Sequence, residues 1–247
     1  MSVATASRFR FLPLPERFIV LADPSPKLSA SLEEVVEAIW RSEKAERGAK
    51  LFNGTLFSVE EISGLTVKGR FIEYRRFVAQ LRRPELFASL QVRPLAVTGL
   101  LQNAEGIFFG QRDSGMAQQA NCWELIPAGG IDASTLTVSG EIVPAEQILH
   151  ELKEEVGLER SAIARQRLVA FCEEPEHRVF DLVWELETAL DSSAVKAAHS
   201  LLENPEHVEL VCAPWSDLGT FLADGRRVFA AGNRELMSQL ALPKGQM

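Results

Sequence analysis

Residues 145–158 read AEQILHELKEEVGL, and their spacing organises the rest of the chain. On a helix, Ala145, Ile148, Leu149, Leu152 and Val156 form one apolar stripe at i, i+3, i+4, i+7 and i+11, the face that turns to a core. Glu151, Glu154 and Glu155 stand at i, i+3 and i+4, so their carboxylates gather on a second face. Like charges at that spacing cost roughly 0.2–0.5 kcal/mol per pair on an exposed helix. Two of the three fall in the last turn before Gly157, where the helix dipole disfavours anions. A divalent cation reverses both penalties, because clustered carboxylate oxygens are the ligands that Mg²⁺ or Mn²⁺ takes. Taken alone, such a face is usually just the surface of a solvated helix.

The residues upstream favour the cation. The run 123–126 predicts a short strand with Trp123 as a core aromatic, closed by Pro127-Ala128-Gly129-Gly130. Glycines there let backbone carbonyls turn towards an ion. Gly140-Glu141 follows just ahead of the helix, which predicts a span of 144–156 ending at Gly157.

Further out, 94–101 and 106–110 read as adjacent strands, and 168–172, 179–186 and 208–212 as three more. Residues 194–202 and 234–242 read as helices. Strands and helices intermix without regular βαβ alternation, which predicts an α+β fold with a mixed sheet. The texture changes near residues 88–93, so 1–90 is expected to be a smaller β-rich accessory region and 91–247 the main domain. Within the first region, Ser29 or Ser31 caps a helix, Asn53-Gly54 predicts a two-residue hairpin turn, Ser63-Gly64 predicts a second turn, and 74–81 is helical.

The chain has 247 residues, of which 26 are basic and 34 acidic, for a formal charge of −8. That balance argues against nucleic acid as a partner, since such binding comes chiefly from phosphate neutralisation by Lys and Arg. With 46% hydrophobic residues the chain is neither disordered nor, at three cysteines, a disulfide scaffold. Cys122, Cys172 and Cys212 lie 40 or more residues apart and match no zinc spacing; they read as reduced thiols of a cytoplasmic protein. No apolar run is long enough for a membrane span, and the first residues show no secretory signal.

The string WELIPAGG…GE…HELKEEVGL resembles the Nudix box, G-x5-E-x7-R-E-U-x-E-E-x-G-U with U aliphatic. Gly129 matches its opening glycine, Glu141 its middle glutamate, and Glu151, Leu152, Glu154, Glu155, Gly157 and Leu158 its closing half. Two departures stand out. The box spans 30 residues instead of 23, six of the extra ones in the loop 131–139, and His150 replaces the family's arginine. A longer loop costs little, whereas a histidine is mostly neutral at pH 7 and lacks the guanidinium fork.

The resemblance implies an α/β/α sandwich and Mg²⁺-dependent hydrolysis of a nucleoside diphosphate linked to another moiety, a small-molecule substrate. It implies Glu151, Glu154, Glu155 and the Gly129 carbonyl as metal ligands, with Glu151 and Glu155 catalytic, and a further carboxylate from outside the box. Glu206, with Glu203, is the first candidate for that carboxylate and Glu173 with Glu174 the second; a surface acid is the alternative for each. Arg112 and Arg93, at strand ends, are candidates to meet the diphosphate or are solvated charges. The segments 35–40, 51–59, 65–79 and 93–101 resemble the branch of the family that contains the UDP-glucose and UDP-galactose diphosphatase. The expected reaction is therefore UDP-glucose or a similar sugar nucleotide to UMP and sugar 1-phosphate. ADP-ribose or dinucleotide hydrolysis and a non-catalytic nucleotide-binding role are the alternatives.

Overall fold

The computed structural model describes residues 9–22, 26–48, 51–116, 119–230 and 232–240. Eleven strands fall into two sheets among these residues. The large sheet holds β1 (Arg10–Leu12), β5 (Leu95–Gln102), β6 (Gly106–Arg112), β7 (Trp123–Leu125), β8 (Ala128–Gly130), β9 (Ile163–Glu174), β10 (Val179–Thr188) and β11 (His207–Pro214). The small one holds β2 (Arg17–Val20), β4 (Thr66–Glu73) and β3 (Thr55–Ser63), in that spatial order. The helices are α1 (Ala30–Arg47), α2 (Tyr74–Arg82), α3 (Phe87–Leu90), α4 (Pro144–Glu151), α5 (Ser192–Ser200), α6 (Leu218–Ala223) and α7 (Asn233–Leu240).

The main path of the large sheet runs β1-β9-β10-β5-β6-β11. β10 pairs parallel to β5 and antiparallel to β9, so the sheet is mixed, as expected. β10 is buried on both faces. Phe180, Leu182 and Leu186 enter one apolar cluster and Val183 the other. Ile148, Leu149 and Leu152 of the acidic helix and Val195 of α5 cover the first face. Leu218 and Phe221 of α6 with Leu236 and Met237 of α7 cover the second. The result is the α/β/α layering, with an α6 that no periodicity had marked.

The site is positioned by a split in this sheet. β5 and β6 pair through Gln102 and Ile107, and beyond that point β8 lies along β5 while β7 lies along β6. Residues 123–130 thus fill the gap, turning through a cis Ile126–Pro127 bond. Gly129 comes to stand opposite Val97.

The N-terminal residues are woven into the same body. β1 pairs with β9 at the edge of the large sheet. Phe18, Phe57, Val59 and Val67 of the small sheet pack in one cluster with Leu95, Ile131 and Ile148. Backbone bonds from Phe57 N to Ile131 O (2.8 Å), Val20 N to Gly140 O (2.8 Å) and Ile142 N to Phe18 O (3.0 Å) grip both ends of the long box loop.

Ser29 caps α1, accepting from Leu32 N at 3.3 Å, and Ser63-Gly64 turns the β3–β4 hairpin. Asn53-Gly54 does not make a hairpin. It leads into β3, and the Asn53 side chain accepts from Arg75 N (3.0 Å) and donates to Glu73 (3.0 Å), stitching the start of β3 to α2. Local turn chemistry here is overridden by a capping-type contact between distant segments. No helix among the described residues is long and apolar enough to cross a membrane.

Candidate functional site

The acidic helix runs as α4 and continues through Leu152–Val156 in π geometry, ending at Gly157 in the left-handed conformation (φ 76°). A π turn widens the ladder and shifts the side chains that follow it, a feature common at functional sites. It carries Glu155 inward: its side chain is buried, 3% exposed, and accepts from Ala128 N at 2.9 Å. Helix and glycine turn are thereby joined directly.

Glu151 faces the same turn. A Cβ at Gly129 would overlap its carboxylate, so only glycine leaves room there. Gln147, one helical turn earlier and buried, donates to Glu151 at 2.9 Å while its oxygen accepts from Asp132 N at 3.4 Å. Burial pushes the Glu151 carboxyl up to about 7; the Gln147 bond opposes this, and repulsion from Glu154, Glu206 and Asp132 adds to it. Glu155 is pushed well above the usual carboxylate range by burial and by Glu124, Glu151 and Glu206, with the Ala128 N–H opposing. Glu154 is exposed at the cluster's edge. Glu151 and Glu155 thus each feel the charge of Glu206, and Glu151 that of Glu154 as well.

Behind Glu155 lies a group that periodicity could not disclose. Glu124 of β7, 8% exposed, accepts from both Arg112 Nη1 (2.5 Å) and His207 Nε2 (2.7 Å). His207 is fully buried. Burial works against the Arg112 charge, but Glu124, Glu206 and Glu155 outweigh it and hold the guanidinium protonated. The cross-strand register brings these groups together: Glu124 faces Gly110, two residues before Arg112, and His207 faces Arg112.

The donor set fits a hard divalent cation. Its ligands are carboxylate oxygens at a glycine turn, two of the carboxyls raised chiefly by burial and further by acidic neighbours; among the described residues only Glu174, Glu176 and His177 bring three potential ligand atoms within 4.8 Å of one another.

No family model and no curated protein matches the sequence. Solved structures match it in fold. The protein DR0079 from Deinococcus radiodurans is similar at a TM-score of 0.50 and 18% identity, over 75% of this chain and 98% of that one. An ADP-ribose pyrophosphatase from Streptococcus suis matches at 0.40 and 18% identity, over 60% of this chain and 88% of that one. A NUDIX-family hydrolase from Clostridium perfringens matches at 0.36 and 15% identity, over 60% and 95%. Its structural neighbours include Nudix hydrolases. At these identities the likeness is one of fold.

The other expected residues lie as follows. Glu141 accepts from Arg17 of β2 at 2.6 and 2.9 Å, an ion pair between the long box loop and the small sheet. His150 is exposed, its Nδ1 3.3 Å from Ser134 Oγ. Arg93 donates through its side chain to the Glu60 carbonyl and through its backbone to Ser58 Oγ (3.0 Å), bridging the two sheets. Glu203 is exposed in the turn before β11. Glu173 pairs with Arg10, and Glu174 accepts from the His177 backbone and ring at 2.8 Å each. Trp123 packs in the core, 6.1 Å from Phe221 edge to face.

Proposed function

We propose that the chain is a metal-dependent hydrolase of the Nudix type that cleaves the diphosphate of a nucleoside diphosphate derivative, with UDP-glucose or a similar sugar nucleotide as substrate. The observation that supports this reading is that Glu151 and Glu155 both lie against the glycine turn, Glu151 beside Gly129 and Glu155 bound to Ala128 N, where burial and then repulsion from acidic neighbours raise both carboxyls. Surface charge kept for solubility has no reason to be buried and mutually repelling.

Glu151, Glu154 and Glu155, with the Gly129 carbonyl, would hold Mg²⁺ or Mn²⁺. Such an ion, when bound, neutralises the diphosphate and lowers the pKa of a water molecule. Gln147 fixes the Glu151 rotamer, and Gly129 keeps the space in front of it clear. Glu206, exposed at the start of β11, takes the proton of the attacking water. Oxygen from that water bonds to one phosphorus as the bridging P–O bond breaks, which yields UMP and sugar 1-phosphate. Arg112, already held charged beside Glu124, faces the charge that develops on the phosphoryl oxygens.

The test is release of UMP from a UDP-sugar panel, with ADP-ribose alongside, in Mg²⁺, Mn²⁺ and chelator. Metal-dependent turnover by the native chain, lost in Glu155→Gln with the fold intact, is the expected result. A ligand-induced rise in melting temperature without turnover of any panel member would instead make the protein a nucleotide-binding module.

A further inference from the structure

The second face of the large sheet carries a cavity of about 940 Å³ between α6 and α7, a volume suited to a small molecule. None of Glu151, Glu154, Glu155 and Glu206 borders it. β5 reaches it at Gln102, five residues beyond Val97, where Gly129 pairs, and α4 packs on the opposite face. The cavity is therefore a separate place from the carboxylate cluster.

Its walls are apolar. Leu218 and Leu222 of α6, Met237 of α7 and Trp215 supply them, and the Trp215 ring N–H is already spent on the Asn103 carbonyl at 3.1 Å. Walls of this kind favour an apolar body, which gains by leaving water.

The polar groups of the lining narrow what that body carries. Arg234 is fixed in place: its Nη2 donates to the carbonyls of Asp224 (3.2 Å) and Arg227 (2.8 Å), and its guanidinium lies 4.8 Å from the centre of the Phe229 ring. No carboxylate pairs with it among the described residues, and the Asp224 carboxylate is spent on Arg226 and Arg227. A guanidinium held rigidly with N–H groups left over is pre-organised for an incoming anion. Glu187, the other charged residue on the lining, is an acid, which disfavours a multiply charged group. Gln102, 6% exposed, donates through Nε2 to Glu185 (2.8 Å) and Glu187 (3.4 Å), which leaves its Oε1 without a partner among the described residues. An acceptor so nearly buried is best satisfied by a donor that arrives with a ligand.

We propose that this cavity binds a small apolar acid, its body between α6 and α7, its single carboxylate on the Arg234 guanidinium and a hydroxyl or N–H donor on Gln102 Oε1. The site stands independently of the diphosphate reading.

Titration of the full chain with (4-hydroxyphenyl)alkanoates of two to four methylenes, followed by tryptophan fluorescence and calorimetry, tests it. The best of these acids is expected to bind roughly tenfold or more tightly than its own carboxamide, and about fivefold more tightly than the same acid without the hydroxyl. Arg234→Gln is expected to abolish the preference for the carboxylate. Gly219→Phe, on the α6 wall where a Cβ meets open space, is expected to fill the cavity and abolish binding without lowering the melting temperature. Saturating UDP-glucose with Mg²⁺ is expected to leave the acid's affinity unaltered. Absence of saturable binding by every acid overturns the proposal, as does equal binding of acid and carboxamide or an undiminished preference in Arg234→Gln, an exposed position whose arm decides even if Gly219→Phe does not fold. Displacement by UDP-glucose overturns the separate site and assigns the acid to the nucleotide's place. Binding by a chain ending at Leu240 but not by the full chain overturns the proposal in favour of residues 241–247 as the occupant.

Discussion

Glu155 and Ala128 are 27 positions apart, yet the Glu155 carboxylate accepts the Ala128 N–H at 2.9 Å. That bond fastens the end of the acidic helix to the turn that follows β7. The same carboxylate is repelled by Glu124, Glu151 and Glu206, so one side chain is at once a structural tie and an excess charge. Separating the two roles is the first experimental task.

Glu155→Gln keeps an oxygen to accept from Ala128 and removes the charge. The variant should match or exceed the native chain in thermal stability without metal, since the repulsion is gone. Turnover with Mg²⁺ should fall by on the order of 10³-fold, a loss typical of a group acting on the transition state. Melting curves and initial rates on one preparation check both; a drop in melting temperature equal to that of Glu155→Ala would mean that the hydrogen bond to Ala128 by itself contributes nothing.

The metal-free protein should lose stability as pH rises. Glu151 lies at about 7 and Asp181 at about 6, both raised chiefly by burial from ordinary values of 4.5 and 3.8. A carboxyl raised on folding binds more protons folded than unfolded, so its contribution is complete below about pH 4 and disappears through pH 6 to 7. For Glu151 this amounts to at most about 3 kcal/mol. Urea unfolding between pH 4.5 and 8 should show the decline in chelator, and Mg²⁺ should flatten it at the upper end.

At Gly129 a methyl group has nowhere to go except into the Glu151 carboxylate. Gly129→Ala should cost about 1–3 kcal/mol through overpacking. It should also weaken Mg²⁺ affinity by tenfold or more, because the displaced carboxylate loses Gln147 as its guide. Gly130→Ala is the control, since a Cβ there meets open space. Calorimetric Mg²⁺ titration of the pair should separate them clearly.

Arg112 and Glu124 should couple strongly. Arg112→Met leaves a largely buried carboxylate with His207 as its remaining side-chain donor, at a cost of about 3 kcal/mol. Glu124→Gln in the same chain should recover more than half of that, because the uncompensated charge is then gone. A double-mutant cycle by urea unfolding should return a coupling above about 1 kcal/mol; additive effects would mean that the pair is not a unit.

The legible part of the chain was what lies close together in sequence. The apolar stripe of Ile148, Leu149 and Leu152 and the charged face of Glu151, Glu154 and Glu155 follow from a 3.6-residue period and need no tertiary information. Ser29, Ser63-Gly64 and Gly157 were readable for the same reason, since caps and turns are local chemistry. Asn53-Gly54 misled because a local preference is worth little against two hydrogen bonds to Arg75 and Glu73, 20 and more residues away. The long box loop showed only as a count. That the small sheet holds it through Phe18, Val20, Phe57 and the Arg17–Glu141 pair depends on contacts between residues more than 70 positions apart.

Sequence by itself therefore determined the main strands and helices around the acidic helix, the side of that helix that meets the core, and the trio of glutamates that share its other side. Tertiary structure alone decided which groups join that trio. Glu124, Arg112 and His207 converge through the registers of β6 with β7 and β11, and Asp181 meets Thr98 through the parallel pairing of β10 with β5. The physical reason is one of range. Periodicity records which way a side chain points from its own backbone, whereas the field felt by a buried carboxylate is set by every charge the fold brings within a few ångströms.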